Sequence, residues 1–315
     1  MKEIGGYFEL EKTSIPSGEY HKNAIHLNLG RNALVYLIKT KKIKKIYLPY
    51  FLCDSVESVC LKEGVSIFKY HINSSFEPIL DTEIEKDEYV YVVNYYGQLS
   101  NESIRKLQKN FKNIIIDNVQ AFFQKPIKSI DTIYSCRKYF GVPDGAYLYT
   151  DQVSLSLDKD NSSERFAHLL GRKEEGAHKH YQDYVDNELL LNNLSLRLMS
   201  KETQNILASV DYKYVRERRN INFRYLNEEL CKLNDLSIKR VSGAFCYPLL
   251  LSNGKDMKQY LIKNNVYIPT LWPNLEGLND YEQRLVVDLL PLPCDQRYKI
   301  KDMKYIVKLI KDFVK

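Results

Sequence analysis

Two residues of types that do chemistry sit close together in the middle of this chain. Asp117 closes the apolar run IIID (114–117), and Lys138 follows the run IDTIYSC (130–136) by two residues. A carboxylate at the end of a buried strand is costly unless something pairs with it. A lysine 21 residues later, on the strand–loop edge of the same sheet, is placed to reach the same crevice. Pyridoxal phosphate needs such a pair: an amine to form a Schiff base, and a carboxylate that keeps the pyridine nitrogen protonated so the ring can act as an electron sink. An ordinary buried ion pair accounts for the same two residues at least as well.

A cofactor phosphate asks for backbone N–H groups at a helix start and for a hydroxyl nearby. LGRNAL (29–34) supplies the first: Gly30 permits close approach, and the N–H groups of Arg31 and Asn32 open a helix. Ser135, three residues before Lys138, could supply the hydroxyl. A glycine–helix junction alone is also a simple tight turn; the signal is the chain order of phosphate cradle, Asp and Lys. Arg137 either meets the phosphate or points away as a solvated arginine, since neighbours on a strand face opposite sides. Asn94, Tyr95 and Tyr96 line a pocket or form a satisfied turn, and Trp272 touches substrate or packs beside Pro273.

Regular elements must hold these residues. Apolar runs at 24–30, 45–51, 65–72, 88–97, 113–118, 130–136 and 145–151 read as strands, and helical periods fall between several of them, at 31–43, 53–64 and 101–111. This alternation predicts an α/β fold: a large domain with a mainly parallel, seven-stranded-type sheet flanked by helices. Such sheets carry their chemistry outside the carboxyl ends of the strands, where Gly30, Asn94, Asp117 and Ser135 all fall. Residues 152–200 are a polar, mixed excursion. A long helix is expected over 203–233, then a strand at 244–251, a helix at 256–265, a strand and turn at 266–273 and a closing helix at 300–314. The division expected is 1–208 for the large domain and 209–315 for a bridge helix and a small C-terminal α+β domain.

The 315 residues are 44% hydrophobic, with 25 Tyr and 12 Phe, ample for packed interiors. The net charge of +6 is mild, and the lysine-rich stretches 39–45 and 304–315 carry apolar residues at helical spacing. They read as solvated helix faces, so no nucleic-acid or membrane partner is expected. The first residues lack an apolar leader core, and a cytoplasmic location is expected. Six scattered cysteines with no C-x-x-C pair read as reduced thiols. No metal-ligand spacing is present, and HKH (178–180) reads as a solvated loop.

Several segments, in order, resemble the DegT/DnrJ-type sugar aminotransferases of the aspartate-aminotransferase fold. Gly30-Arg31-Asn32-Ala33-Leu34 is similar to that family's Gly-Thr-x-Ala-Leu phosphate segment, YLPYFLCDSV (47–56) to its strand–Pro–aromatic–helix segment, and IIIDNVQAFF (114–123) to its Asp-x-x-Gln/His-Ala segment. SCRKYFGVPDGAYL (135–148) resembles its lysine loop, and RRNINFRYLNEEL (218–230) with LLPLPCDQRYKIKDMKYIV (289–307) resembles its bridge helix and C-terminal domain. The resemblance implies pyridoxal 5'-phosphate as cofactor, Lys138 as the Schiff-base residue, Asp117 as the pyridine-nitrogen partner and Gln120 near the phenolic oxygen. It implies Phe51 or Cys53 as the residue stacking on the ring. It also implies a homodimer that transfers an amino group from an L-amino acid, glutamate by expectation, to a keto-sugar nucleotide in surface polysaccharide or related sugar synthesis. Arg31 stands where many members have a hydroxyl, and Ile133 stands five residues before the lysine, where Ser or Thr is common. A catalytically silent relative that uses the fold for binding, or a dehydratase or epimerase with the same cofactor, are the competing readings.

Overall fold

The computed structural model describes residues 18–152 and 155–314; most of the N-terminal lead lies outside them. Strand β1 (Ile25–Leu27) runs into helix α1 (Gly30–Lys41), followed by β2 (Lys45–Pro49), α2 (Asp54–Lys62), β3 (Ser66–Ile72), β4 (Pro78–Ile79) and β5 (Tyr89–Val93). Next come α3 (Asn101–Asn110), β6 (Ile114–Asp117), β7 (Asp131–Ser135) and β8 (Ala146–Tyr149). These strands form one sheet in the order β1-β8-β7-β6-β5-β2-β3-β4. The contiguous strands β3, β2, β5, β6 and β7 are parallel, whereas β8, β1 and β4 join antiparallel. The sheet is therefore α/β and mainly parallel as expected, with the two-residue β4 as an eighth, edge strand.

The local causes are legible. Helix α1 buries Ala33, Leu34, Leu37 and Ile38 on one stripe and stops where Lys42 turns left-handed, at φ 53°. Helix α3 begins where the Ser100 side chain accepts from the Ser103 N–H, an N-cap that satisfies one orphan donor. Strands β5 to β7 are buried on both faces, as covered parallel strands are, so they show no in–out alternation of burial.

Residues 152–200 contain two helices, α4 (Ala167–Glu174) and α5 (Tyr181–Leu191). The long helix expected over 203–233 is two helices, α6 (Lys201–Ala208) and α7 (Tyr212–Leu230), because Asp211 caps a new start by accepting from the Tyr214 N–H. A two-stranded sheet pairs β9 (Tyr247–Leu250) with β10 (Leu289–Leu292), and α8 (Gly254–Lys263), α9 (Asp280–Asp288) and α10 (Ile300–Val314) complete the chain. The strand expected at 266–273 is irregular: β10 takes the position beside β9, and Pro269 and Pro273 withhold N–H groups from any ladder. Side chains from α7, α8, α10, β9 and β10 form a second apolar core, separate from that of the main sheet.

Candidate active site

Parallel strands deliver Asp117 and Lys138 to one edge of the sheet. Asp117 is the last residue of β6, paired in register with Val93 of β5 and Ile133 of β7. Its side chain is only 4% exposed. One carboxylate oxygen accepts from the Tyr91 hydroxyl at 2.8 Å and the other from the Val119 N–H at 2.9 Å. Burial pushes this carboxyl up to about 6, against the opposing pull of those two donors and of the Lys138 charge. Lys138 lies in the turn that follows β7 and is exposed. The two residues are thus not a buried ion pair: Asp117 takes its hydrogen bonds elsewhere, and Lys138 acts on it through space.

Tyr91 is a partner that sequence reasoning missed, although period-2 alternation could have found it. Tyr91 pairs with Ile115, two residues before Asp117 and hence on the same face of the sheet. An apolar-looking strand disguised a polar tip.

The corner expected to take a phosphate lies at the start of α1. Its N-cap Leu29 has no capping side chain and its first turn has no acidic residue, so the positive helix end is unneutralised from within. A Cβ on Gly30 would stand 3.7 Å from Val119 Cγ1 and 3.8 Å from Ser135 Cβ, so glycine leaves open a niche bordered by the Asp117 loop and the end of β7. Two arginines face this corner. Arg31 donates to Asn192 Oδ1 at 2.6 Å, and Arg137 is ion-paired with Glu188 of α5. Burial lowers the Arg31 guanidinium below its ordinary value, and the Arg137 charge adds to the effect while Cys53, Glu188 and Asp54 oppose it. Arg137 is therefore not a solvated arginine on a far face.

The remaining expected residues divide. Gln120 is buried near Asp117, with Oε1 accepting from the Tyr96 N–H at 2.9 Å. The Asn32 side chain is committed to Asn28 Oδ1 and the carbonyls of Leu194 and Ser195, which leaves only its backbone for a phosphate. Cys53 is partly exposed at the start of α2, its Sγ 3.1 Å from Ser55 Oγ. Phe51, expected as a stacking residue, is 0% exposed, its ring against Trp272 and Tyr95 and its carbonyl accepting from the Tyr95 hydroxyl, so in this structure the ring faces the core. Trp272 is thus a packed aromatic. Asn94, also buried, spends its side chain on Leu99, Asn118 and Gln124, a satisfied turn rather than a pocket wall.

The geometry joins a buried carboxylate of raised proton affinity, an exposed amine within its field, an uncapped helix start and two cations. That set fits an anionic, amine-reactive cofactor with a basic ring nitrogen. No family model matches the sequence, and no curated protein matches it. Solved structures do share the fold. A DegT DnrJ EryC1 StrS aminotransferase from Brucella abortus is 16% identical, with TM-score 0.63 over 92% of this chain and 85% of that one. DesV of S. venezuelae is 14% identical, TM-score 0.66, over 92% and 84%. Helicobacter pylori PseC, an aminotransferase involved in the biosynthesis of pseudoaminic acid, is 13% identical, TM-score 0.64, over 92% and 86%. At these identities the likeness establishes the fold.

Proposed function

We propose that this chain is a pyridoxal-phosphate-dependent aminotransferase that moves an amino group from an L-amino acid onto a keto-sugar carried by a nucleotide. The observation that supports it most is a buried Asp117 within reach of the Lys138 charge, with Val119 and Ser135 bordering the Gly30 niche, on a fold shared with solved sugar aminotransferases. When bound, the cofactor supplies an electron sink for a substrate carbanion. The chain's residues do the rest. Asp117, already costly to ionise where it is, gains most from a cationic ring nitrogen and holds the proton there. Lys138 Nζ would hold the cofactor and would serve as the base that moves a proton from the substrate carbon. The uncapped first turn of α1, with Arg31 and Arg137, receives the phosphate.

The same reading makes the active form a homodimer. Leu170, Tyr181, Leu189 and Leu190 of α4 and α5 are exposed and provide apolar surface for a second copy. The donor, by this reading, is glutamate.

Purified protein mixed with pyridoxal phosphate should develop a visible absorption band, and Lys138→Ala should abolish it. With glutamate and a keto-sugar nucleotide the wild type should release 2-oxoglutarate. A wild type that takes up no cofactor sinks the proposal. Uptake without 2-oxoglutarate release favours a dehydratase or epimerase instead.

A further inference from the structure

Among the described residues Arg219 of α7 is the largest fully buried side chain, at 1% exposure, and it forms no ion pair with a carboxylate there, although its charge reaches Asp295 through space. A buried charge is tolerated only when hydrogen-bonded or paired, and this guanidinium is spent on three segments. Its Nε donates to Gln296 Oε1 at 2.9 Å. Its Nη1 donates to the Ala244 carbonyl at 2.8 Å and the Phe245 carbonyl at 3.3 Å. Its Nη2 donates to the Tyr139 carbonyl at 3.3 Å, and its Cζ stands 4.4 Å from the centre of the Tyr139 ring. Gln296 Nε2 donates to that same carbonyl at 2.8 Å. Tyr139 is the residue after Lys138. At its other end the Tyr139 hydroxyl donates to the Gln120 carbonyl at 2.9 Å, three residues past Asp117.

A continuous chain of contacts thus runs from the segment before β9, through Arg219 and Tyr139, to the backbone beside both Lys138 and Asp117. Tyr139 and Ala244 also border a cavity of about 220 Å³ that lies between the loop after β5 and residues 239–244. Whatever occupies that cavity bears on two of the groups that Arg219 ties together.

We propose that Arg219 is a positioning residue for Lys138, setting the register of the lysine turn against the segment that precedes β9. Lysine in its place would retain charge but lose the planar fork and the stacking surface. Methionine would fill the volume and leave three carbonyls and an amide short of a donor. The proposal rests on the reading of Lys138 as the cofactor lysine, so the test has one arm that needs no cofactor.

In the full-length protein, Arg219→Met, Arg219→Lys and Tyr139→Phe are compared with wild type. Lysine amines are acylated with acetic anhydride across a pH series, and the peptide containing Lys138 is quantified by mass spectrometry against Lys106 and Lys179, whose side chains are 72% and 66% exposed. Arg219→Met should shift the relative labelling of Lys138 roughly threefold or more, and slow cofactor capture about tenfold, since a misplaced reacting group costs up to about 100-fold. Arg219→Lys should restore part of both, and Tyr139→Phe should reproduce part of the defect. Should Arg219→Met fail to fold, the other two variants decide. A lowered melting temperature with Lys138 labelling unchanged in the folded variants overturns the proposal. A wild type that binds no cofactor defeats the aminotransferase reading alone, because the labelling arm still decides on Arg219.

Discussion

Asp117 and Asp144, buried aspartates on either side of Lys138 in sequence, differ in how far their oxygens are used. Asp144, six residues after the lysine, is 0% exposed and accepts from the Ser200 N–H at 2.8 Å, the Ser200 hydroxyl at 2.7 Å and the Thr203 hydroxyl. All three donors belong to the start of α6, so Asp144 fastens the turn after the lysine to the helix that follows the excursion. Asp117 is as deeply buried yet takes two donors, with a cation in range but not in contact. A carboxylate offers about four acceptor positions. Burial therefore does not distinguish the two; Asp117 keeps more acceptor capacity unfilled and lies within reach of the Lys138 charge. For both aspartates burial raises the proton affinity; under the proposed function a cationic ring beside Asp117 would reverse it there.

Breaking Asp117 should have the largest effect. Asp117→Asn should lower kcat roughly 100- to 1000-fold, the usual consequence of removing one electrostatic support. It should also stabilise the cofactor-free protein. The folded carboxyl titrates near 6 against an ordinary value of 3.8, so the folded state holds an extra proton between about pH 4 and pH 6. Wild-type stability falls as pH rises through that window and the full cost, about 3 kcal/mol, is present above it. Denaturant melts should show Asp117→Asn ahead by about that much at pH 8, with the gap closed by pH 4. A gap that is absent or independent of pH would show that the ionised carboxylate is at ease where it lies.

Asp144→Ala should reverse the pattern. It orphans the Ser200 and Thr203 donors and should cost roughly 2–3 kcal/mol of stability. The folded fraction should still bind cofactor with near wild-type affinity, measured by absorbance titration. If affinity falls more than stability, Asp144 belongs with Asp117 and the contrast fails.

Phe51→Leu sharpens the boundary between core and site. It should lower stability by about 1 kcal/mol and leave the cofactor spectrum unchanged, because the ring touches only Trp272, Tyr95 and neighbouring core. The smallest effect is expected of Cys53→Ala: less than a tenfold change in cofactor affinity by titration, with stability nearly constant. A larger loss would make Cys53 the residue beneath the ring.

What could be read beforehand follows the range of the interaction. Asp117, Lys138 and Gly30 were legible because strand periodicity and the carboxyl-edge rule place backbone positions. Phe51 was not, because Trp272, 221 residues later, buries it. Arg219 sits in an arginine-rich helix where nothing in the sequence marks it for burial; that burial depends on Tyr139, Ala244 and Gln296, which converge only in three dimensions. The excursion 152–200 was opaque for a related reason: its Glu188 and Asn192 take meaning from Arg31 and Arg137, far back in the chain. Tyr91 lay between, within reach of a register argument but hidden by apolar neighbours.

The pairing of β1 with β8 sets a timetable for synthesis. Leu27 lies opposite Ala146 and Ile25 opposite Leu148, so the strand that leads into Gly30 has no ladder until about 120 more residues exist. At ribosomal speeds of about 5–20 residues per second that is a wait of roughly 6–24 s. Through that interval the segment bearing Gly30 has been made, and late in it the one bearing Asp117, while the strand that pairs with β1 has not. The Gly30 corner is consequently among the last parts of the large sheet to take shape, and a nascent chain halted before β8 would present its parallel strands without β1 in place.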